Sequence, residues 1–216
     1  MSANVNQPDP TRERLLLEAE RLFATKGYAA VSVRQITAAA ETNSAAINYH
    51  FGGKKNLYLE VFRQRWLPRA HSTMAKITPL LEADDLSVEK VIRTAIDVLW
   101  KGPLSHDSQE FFLHGALIHR ELHNRTEAWD ILVEEAIVPF YDLLYRIFLR
   151  IDPTVQKAKV MLNCMSMFSQ LVFFSHARPI AQQVMGQPPP EDVEAILADH
   201  ITAFCLHGMN QTGDQP

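Results

Sequence analysis

Between Ser44 and Phe51 the chain sets small or hydrogen-bonding side chains, Ser44, Ala45, Ala46 and Asn48, among the apolar Ile47 and Phe51. On a short helix Ile47 and Phe51, four apart, share an inward face and leave the small and polar residues outside. The chemistry open to such a surface is recognition. Small residues let a helix sink into a major groove, and a carboxamide such as that of Asn48 can bond an adenine edge. Tyr49 and His50 offer donors that can reach phosphate oxygens, contacts that position rather than specify. Lys54 begins the next helix, where its charge adds to backbone N–H groups that favour anions. Arg34, just inside the preceding helix, can do the same from the other side, and Thr42 and Asn43 complete the candidate DNA-facing set.

Three elements must position this surface. From Thr11 to Lys26, Leu15, Leu16, Ala19, Leu22 and Phe23 recur at helical spacing, with Pro10 opening the helix and Gly27 where a left-handed C-cap is wanted. A second helix starts after Ser32, a natural N-cap, and carries Val33, Ile36 and Ala40 on one face. Glu41-Thr42-Asn43 interrupts it, Asn43 or Ser44 can cap the third helix, and Gly52-Gly53 ends that helix before a longer one from Lys54. Two short helices joined by a tight turn and buttressed by a third form the minimum helix-turn-helix unit.

The stretch from Arg12 to Tyr58 resembles the DNA-binding domain of TetR-family regulators. The matching residues are Leu22-Phe23-Ala24 before Lys26-Gly27-Tyr28, then Ser32-Val33-Arg34-Gln35-Ile36, and Tyr49-His50-Phe51 followed by Lys54 and Leu57-Tyr58. The resemblance implies that the third helix reads bases while the Tyr-His pair and the following lysine touch phosphates. One position departs from the pattern: Glu41 stands in the turn where a small residue, often Gly, is usual. A positive φ there costs about 1 kcal/mol, and the charge is unhelpful near phosphates.

After Pro79 longer helical patterns follow, at about 87–101, 107–123, 126–150, 154–177 and 191–208, separated by Gly102-Pro103, Asn124, Asp152-Pro153, Pro179 and 186–190. Nothing alternates with strand period. The fold expected is all-α with about nine helices: a helix-turn-helix domain over 10–56, a helical effector-binding and dimerisation domain over 57–209, and flexible tails at 1–9 and 210–216. The segments His119-Arg120-Glu121-Leu122, Ala128 to Pro139 and Gln170 to Gly186 (with Phe173-Phe174 and Arg178-Pro179) resemble the C-terminal domain of a CerR-like subgroup. That resemblance implies a small effector among the middle helices and dimerisation through the last two long ones.

Large apolar residues at helical spacing in this body are read mainly as core. Trp100, Phe112, His114, His119, Phe140 and Gln170 are the candidates for an effector pocket with polar handles. Val160, Met161, Cys164, Met167, Phe168 and Leu171 on one late helix face Val193, Ile196, Leu197, Ile201 and Phe204 on the other as candidate dimer faces. His106, His114, His119 and His123, with Glu110 and Glu121 among them, invite a metal reading, since His119 and His123 are four apart. No Glu-x-x-His pair accompanies them, so solvated or core-satisfied histidines are the reading adopted, with no metal and no cofactor. Cys164 and Cys205 lack CxxC spacing and read as free thiols rather than a redox-sensing pair.

The formal charge is −4, but residues 1–70 carry ten Lys/Arg against six Asp/Glu, a net of +4, and the remainder a net of −8. The asymmetry suits a first part that faces phosphates. No apolar run is long enough to span a membrane and no secretion signal opens the chain, which reads as cytoplasmic. No nucleophile–base–acid spacing points to an enzyme. The function expected is a homodimeric repressor on a pseudo-palindromic operator, released by a small-molecule effector. An activator or ligand-independent regulator of the same fold is the alternative, and a helical metal- or ligand-binding protein a distant one.

Overall fold

The computed structural model describes residues 9–105, 108–176, 180, 183–184, 186 and 192–210. Among these every regular element is helical. Helix α1 is Pro10–Lys26, α2 is Val33–Ala39 and α3 is Ala45–Phe51. Helix α4 runs from Lys54–Val61 through a wide π-turn at Phe62–Trp66 into Leu67–Ile77. Helices α5, Val88–Trp100, and α6, Gln109–His123, follow. Helix α7 joins Ala128–Leu132, a second π-turn at Val133–Ile137, and Val138–Ile151. Helix α8 is Lys157–His176 and α9 is Val193–Asn210. The expected breaks at Pro179 and 187–190, His106 of the metal reading, the Arg178-Pro179 pair, and the tails at 1–8 and 211–216 lie outside the described residues.

Both long helices that contain an internal proline adopt the same solution. Pro68 and Pro139 each sit two residues after a π-turn. Proline lacks the N–H for an i→i−4 bond and its ring crowds the carbonyl four residues back. A turn widened by one residue moves that carbonyl aside, so the helix continues instead of breaking.

The chain divides into two compact units, residues 1–70 with 112–136, and residues 71–111 with 137–216. The first unit therefore takes in α6 from Phe112 onward and the start of α7 as well as the amino-terminal helices. Its core centres on Leu15, Leu16, Phe23, Ile36, Ile47, Leu57, Phe62 and Trp66. Phe23, Tyr58 and Phe62 pack edge to face, with Tyr58 at 4.8 Å from Phe23 and 5.2 Å from Phe62 between ring centroids.

The second unit has two apolar clusters. Ile92, Ile96, Leu99, Trp100, Met167, Leu171 and Ile201 anchor one, and Ile77, Val91, Leu144, Ile147, Val160 and Cys164 the other. The late-helix residues expected to form a dimer face divide differently. Val160, Cys164, Met167, Leu171 and Ile201 are buried within the unit itself. Leu162, Met165 and Phe173 on α8, and Ile196 and Phe204 on α9, are the large apolar residues left exposed. Long helices in this unit carry apolar residues on more than one side, and periodicity alone does not say which side is the core.

Candidate nucleic-acid interface

The reader is built by local signals acting together. The Asp9 carboxylate accepts from the Thr11 N–H at 2.9 Å and starts α1, and Gly27 ends it with φ 83°, ψ 157°, its N–H donating to Phe23. Gly27 thus has the positive φ expected, but its ψ is extended rather than left-handed helical, a combination that favours glycine. At α2 a complete capping box forms: Ser32 Oγ accepts from the Gln35 N–H at 3.2 Å, and Gln35 Oε1 accepts from the Ser32 N–H at 2.8 Å.

The turn between α2 and α3 is a Schellman motif. The Thr42 N–H donates to the Thr37 carbonyl at 2.9 Å and the Glu41 N–H to that of Ala38 at 3.3 Å. Glu41 occupies the left-handed position of that motif with φ 51°, and no other described non-glycine residue has positive φ. The misfit that the sequence flagged at Glu41 is therefore a backbone fact. Asn43, not Ser44, supplies the side-chain cap of α3: its Oδ1 accepts from the Ala46 N–H at 3.1 Å.

Helix α3 sorts its residues by burial. Ile47 and Phe51 point inward as expected, and Ala46 joins them instead of facing out. Ser44, Ala45 and Asn48 are exposed, and Tyr49 is 84% exposed. Arg34 is exposed on α2, while Thr42 is half-buried in the turn. Gly52, φ 71° and ψ 14°, closes α3 in the left-handed conformation, and Gly53 leads into α4 with no side-chain cap on the helix N-terminus. That leaves first-turn N–H groups of α4 for an outside acceptor.

Two of the expected phosphate contacts are placed differently from Tyr49. The His50 side chain is only 10% exposed, with Nδ1 3.8 Å from Asp9 Oδ2 and its ring edge-on to Tyr49 and Phe51. Lys54 Nζ donates to the Tyr28 carbonyl at 2.6 Å and lies 4.2 Å from the Tyr28 ring centre, and partial burial lowers its pKa. An ammonium has three donors, so this bond does not exhaust it. Both residues tie the reader together through these contacts.

Polar ties that sequence reading did not anticipate hold the rest of this unit. Glu20, wholly buried on α1, pairs with Arg65 and Arg69 of α4. Glu121 on α6 is also wholly buried. It accepts from Tyr58 Oη at 2.6 Å, from the Thr126 N–H at 2.8 Å and from Thr126 Oγ1 at 2.9 Å. Burial, then this carboxylate, pushes the Tyr58 phenol upward. The neighbouring Arg120 donates to the carbonyls of Ala24, at 3.3 Å, and Thr25, at 2.6 Å, at the end of α1. Apart from Thr126, these partners lie tens of residues apart, and only the charged residue types were visible beforehand.

The six candidate effector residues fall into both units. Trp100 and Phe140 belong to the first apolar cluster of the second unit, and Gln170 reaches Cys205 in the same cluster. Trp100 is buried and its indole N–H has no partner. In the first unit Phe112 is exposed, and His119 is exposed beside His123 with ring centres 4.2 Å apart. His114 is 2% exposed, stacked on Trp66 at 4.6 Å, and its Nδ1 lacks a partner. Burial, then the Arg69 charge, lowers its pKa to about 3. Among the described residues no three His, Cys, Asp or Glu side chains converge as a metal site. Cys164 and Cys205 are buried free thiols, the first pushed up to about 12 by burial. No helix among the described residues is long and apolar enough to cross a membrane.

Residues 15–61 match the family of bacterial regulatory proteins known as the tetR family, and residues 89–209 match the C-terminal domain of the HTH-type transcriptional dual regulator CecR. The chain belongs to the TetR family of transcriptional regulators. Its C-terminal domain is of the CecR type, in agreement with the subgroup resemblance carried by the sequence. Among curated proteins it is 26% identical over 119 residues to the transcriptional repressor NicS of Pseudomonas putida, covering 55% of this chain and 54% of NicS. It is 37% identical over 59 residues to the repressor AcnR of Corynebacterium glutamicum, covering 27% of this chain and 31% of AcnR. The chain thus spans about half the length of one of these relatives and a third of the other. Among solved structures the regulator PfmR of Thermus thermophilus shares the fold with a TM-score of 0.63 at 19% identity, covering 98% of this chain and 100% of that one. The fatty acid degradation regulator FadR of Bacillus halodurans does so with a TM-score of 0.62 at 15% identity, covering 94% and 98%.

Proposed function

We propose that this TetR-family chain is a homodimeric transcriptional repressor that binds a pseudo-palindromic operator in the cytoplasm and is released by a small molecule, acting as a regulator and not as an enzyme. The observation that carries the DNA-binding part is the sorting of α3, with Ile47 and Phe51 buried while Ser44, Ala45, Asn48 and Tyr49 are exposed. Ser44, Ala45 and Asn48 read base edges. Tyr49, Lys54, Arg34, Thr42 and the free N–H groups of α4 hold phosphates. Asn43 and His50 act by fixing α3, through the cap on Ala46 and the approach to Asp9.

Dimerisation is supported by the stripe of Leu162, Met165 and Phe173 on α8, which turns with the helix, and by Ile196 and Phe204 on α9. Exposed apolar residues in such a stripe mark an association surface. Two α8–α9 pairs facing each other would bury it as a four-helix interface. NicS and AcnR, both repressors by name, favour repression over activation. Release by an effector needs only modest differential affinity: tenfold weaker operator binding corresponds to about 1.4 kcal/mol.

Selection of bound fragments from genomic DNA tests the proposal. Enrichment of sites with an inverted repeat, and lower transcription of the adjoining genes when the protein is present, is the expected result. Failure to enrich any fragment would remove the DNA-binding part, and higher transcription would replace repression with activation.

A further inference from the structure

One exposed pair of side chains stands outside the DNA-facing set. His119 and His123 lie four residues apart at the end of α6, and both are exposed. Helical spacing sets such residues one above the other on a single face. Read from spacing alone they are solvated imidazoles; the fold adds their geometry. Their ring centres stand 4.2 Å apart, with the planes 31° from parallel. Two imidazoles on one divalent ion, with metal–nitrogen bonds of about 2.0–2.1 Å, hold their ring centres roughly 4.5–5 Å apart. The two rings are therefore a small side-chain swing from the separation that chelation needs, with no change of backbone.

A second, independent observation fixes which nitrogen is available. His123 Nδ1 lies 2.9 Å from the His119 carbonyl oxygen. A carbonyl oxygen only accepts, so Nδ1 carries the proton, and the neutral ring keeps its lone pair on Nε2. A backbone carbonyl that accepts the N–H of one ring nitrogen, while the other nitrogen binds metal, is the usual support of a metal-ligating histidine. The carboxylate nearest in sequence, Glu121, is wholly buried and bonded to Tyr58 and Thr126. Among the described residues no third His, Cys, Asp or Glu converges on the pair, so the remaining positions of an ion go to water. Two imidazole donors suit Cu²⁺, Ni²⁺ or Zn²⁺ rather than Mg²⁺ or Ca²⁺, which prefer oxygen.

We propose that His119 and His123 form a site for a divalent transition metal, which binds through both imidazoles and clips the last turn of α6. That turn carries Arg120 and Glu121, which bond the end of α1 and Tyr58 of α4, so the ion steadies the ties within the reader's own unit. The test uses the full chain without an affinity tag, and the metal chlorides as probes. Titration calorimetry should rank Cu²⁺ above Ni²⁺ and Zn²⁺ and show no binding of Mg²⁺. His119→Ala and His123→Gln, both at exposed positions, should each weaken the tightest Zn²⁺ binding by roughly tenfold or more, since even loss of a supporting group costs that much. His71→Ala and His207→Ala should leave it unchanged. In the NMR spectrum Ni²⁺ should perturb the ring protons of His119 and His123 before those of the other histidines. Saturating Zn²⁺ should slow hydrogen exchange at the Asn124 N–H, which donates to the Arg120 carbonyl at 2.8 Å, and EDTA should reverse the effect. Undiminished Zn²⁺ affinity in the folded His123→Gln protein, first perturbation at other histidines, or exchange at Asn124 that ignores the ion would overturn the proposal.

Discussion

The two units are held together by different kinds of interaction. In the first unit both described buried carboxylates, Glu20 and Glu121, tie helices at fixed geometry, Glu20 to two arginines and Glu121 through three hydrogen bonds. In the second unit the described buried polar residues are Thr73, Ser175 and Thr202, and the interior is otherwise two apolar clusters. Hydrogen-bonded charges fix distance and angle, because losing one leaves the other unpaired in a low-dielectric interior. Apolar contacts tolerate repacking as long as volume is conserved. A reader that must present α3 in one orientation benefits from the first kind. A body that admits a ligand benefits from the second.

The largest effect expected from breaking this contrast is in the first unit. Glu121→Ala should cost about 3 kcal/mol, because Tyr58 and the Thr126 N–H lose their acceptor in the interior. Urea unfolding followed by far-ultraviolet circular dichroism would measure it, and a loss below about 1 kcal/mol would mean the node is not structural.

His114 carries the next effect. Its ordinary value of 6.5 falls to about 3 in the folded chain. Between those values the unfolded chain binds a proton that the folded chain excludes, so stability rises with pH across the window and is lost as pH drops. The slope is about 1.4 kcal/mol per pH unit. Unfolding free energies of wild type and His114→Gln at pH 7 and pH 5 should differ, with the flatter response in the variant.

Met167→Leu, a volume-conserving change in the second unit, should cost less than about 1.5 kcal/mol and leave cooperative unfolding intact. A loss as large as that of Glu121→Ala would erase the distinction between the units. Smallest of all, Glu41→Gly should stabilise by about 1 kcal/mol by relieving the left-handed conformation. The change would appear as a raised Tm, and a lowered one would show that the Glu41 side chain has a partner that matters more than its backbone strain.

The difference between the units also explains what could be read beforehand. Helix boundaries in the reader follow from local codes, such as Ser32 with Gln35, Pro10 with Gly27, and Gly52-Gly53, each acting within a few residues. The inward positions Ile36, Ile47 and Phe51 followed from spacing for the same reason. The burial of Ala46 and the low exposure of the His50 side chain were not legible, because a small or amphipathic residue beside the anchors carries no periodic signal of its own. The passage of α4 through Pro68 has no local sequence signal either, since a proline reads as a stop unless the preceding turn widens. In the body the assignment of apolar faces depended on contacts between distant segments. Val160, Cys164, Met167 and Leu171 look like a dimer stripe in sequence and are core in the fold.

A salt titration of operator binding by fluorescence anisotropy tests most directly whether α3 presents Asn48 and Tyr49 to DNA. Tyr49→Ala should fold normally and bind every operator variant more weakly by a similar factor, with a shallower dependence on salt only if its loss also removes a basic contact nearby. Asn48→Ala should lose discrimination at one base pair of each half-site, by about 1–3 kcal/mol, while its salt dependence stays that of the wild type. Unchanged affinity and unchanged base preference in both folded variants would contradict the assignment of α3 as the reader.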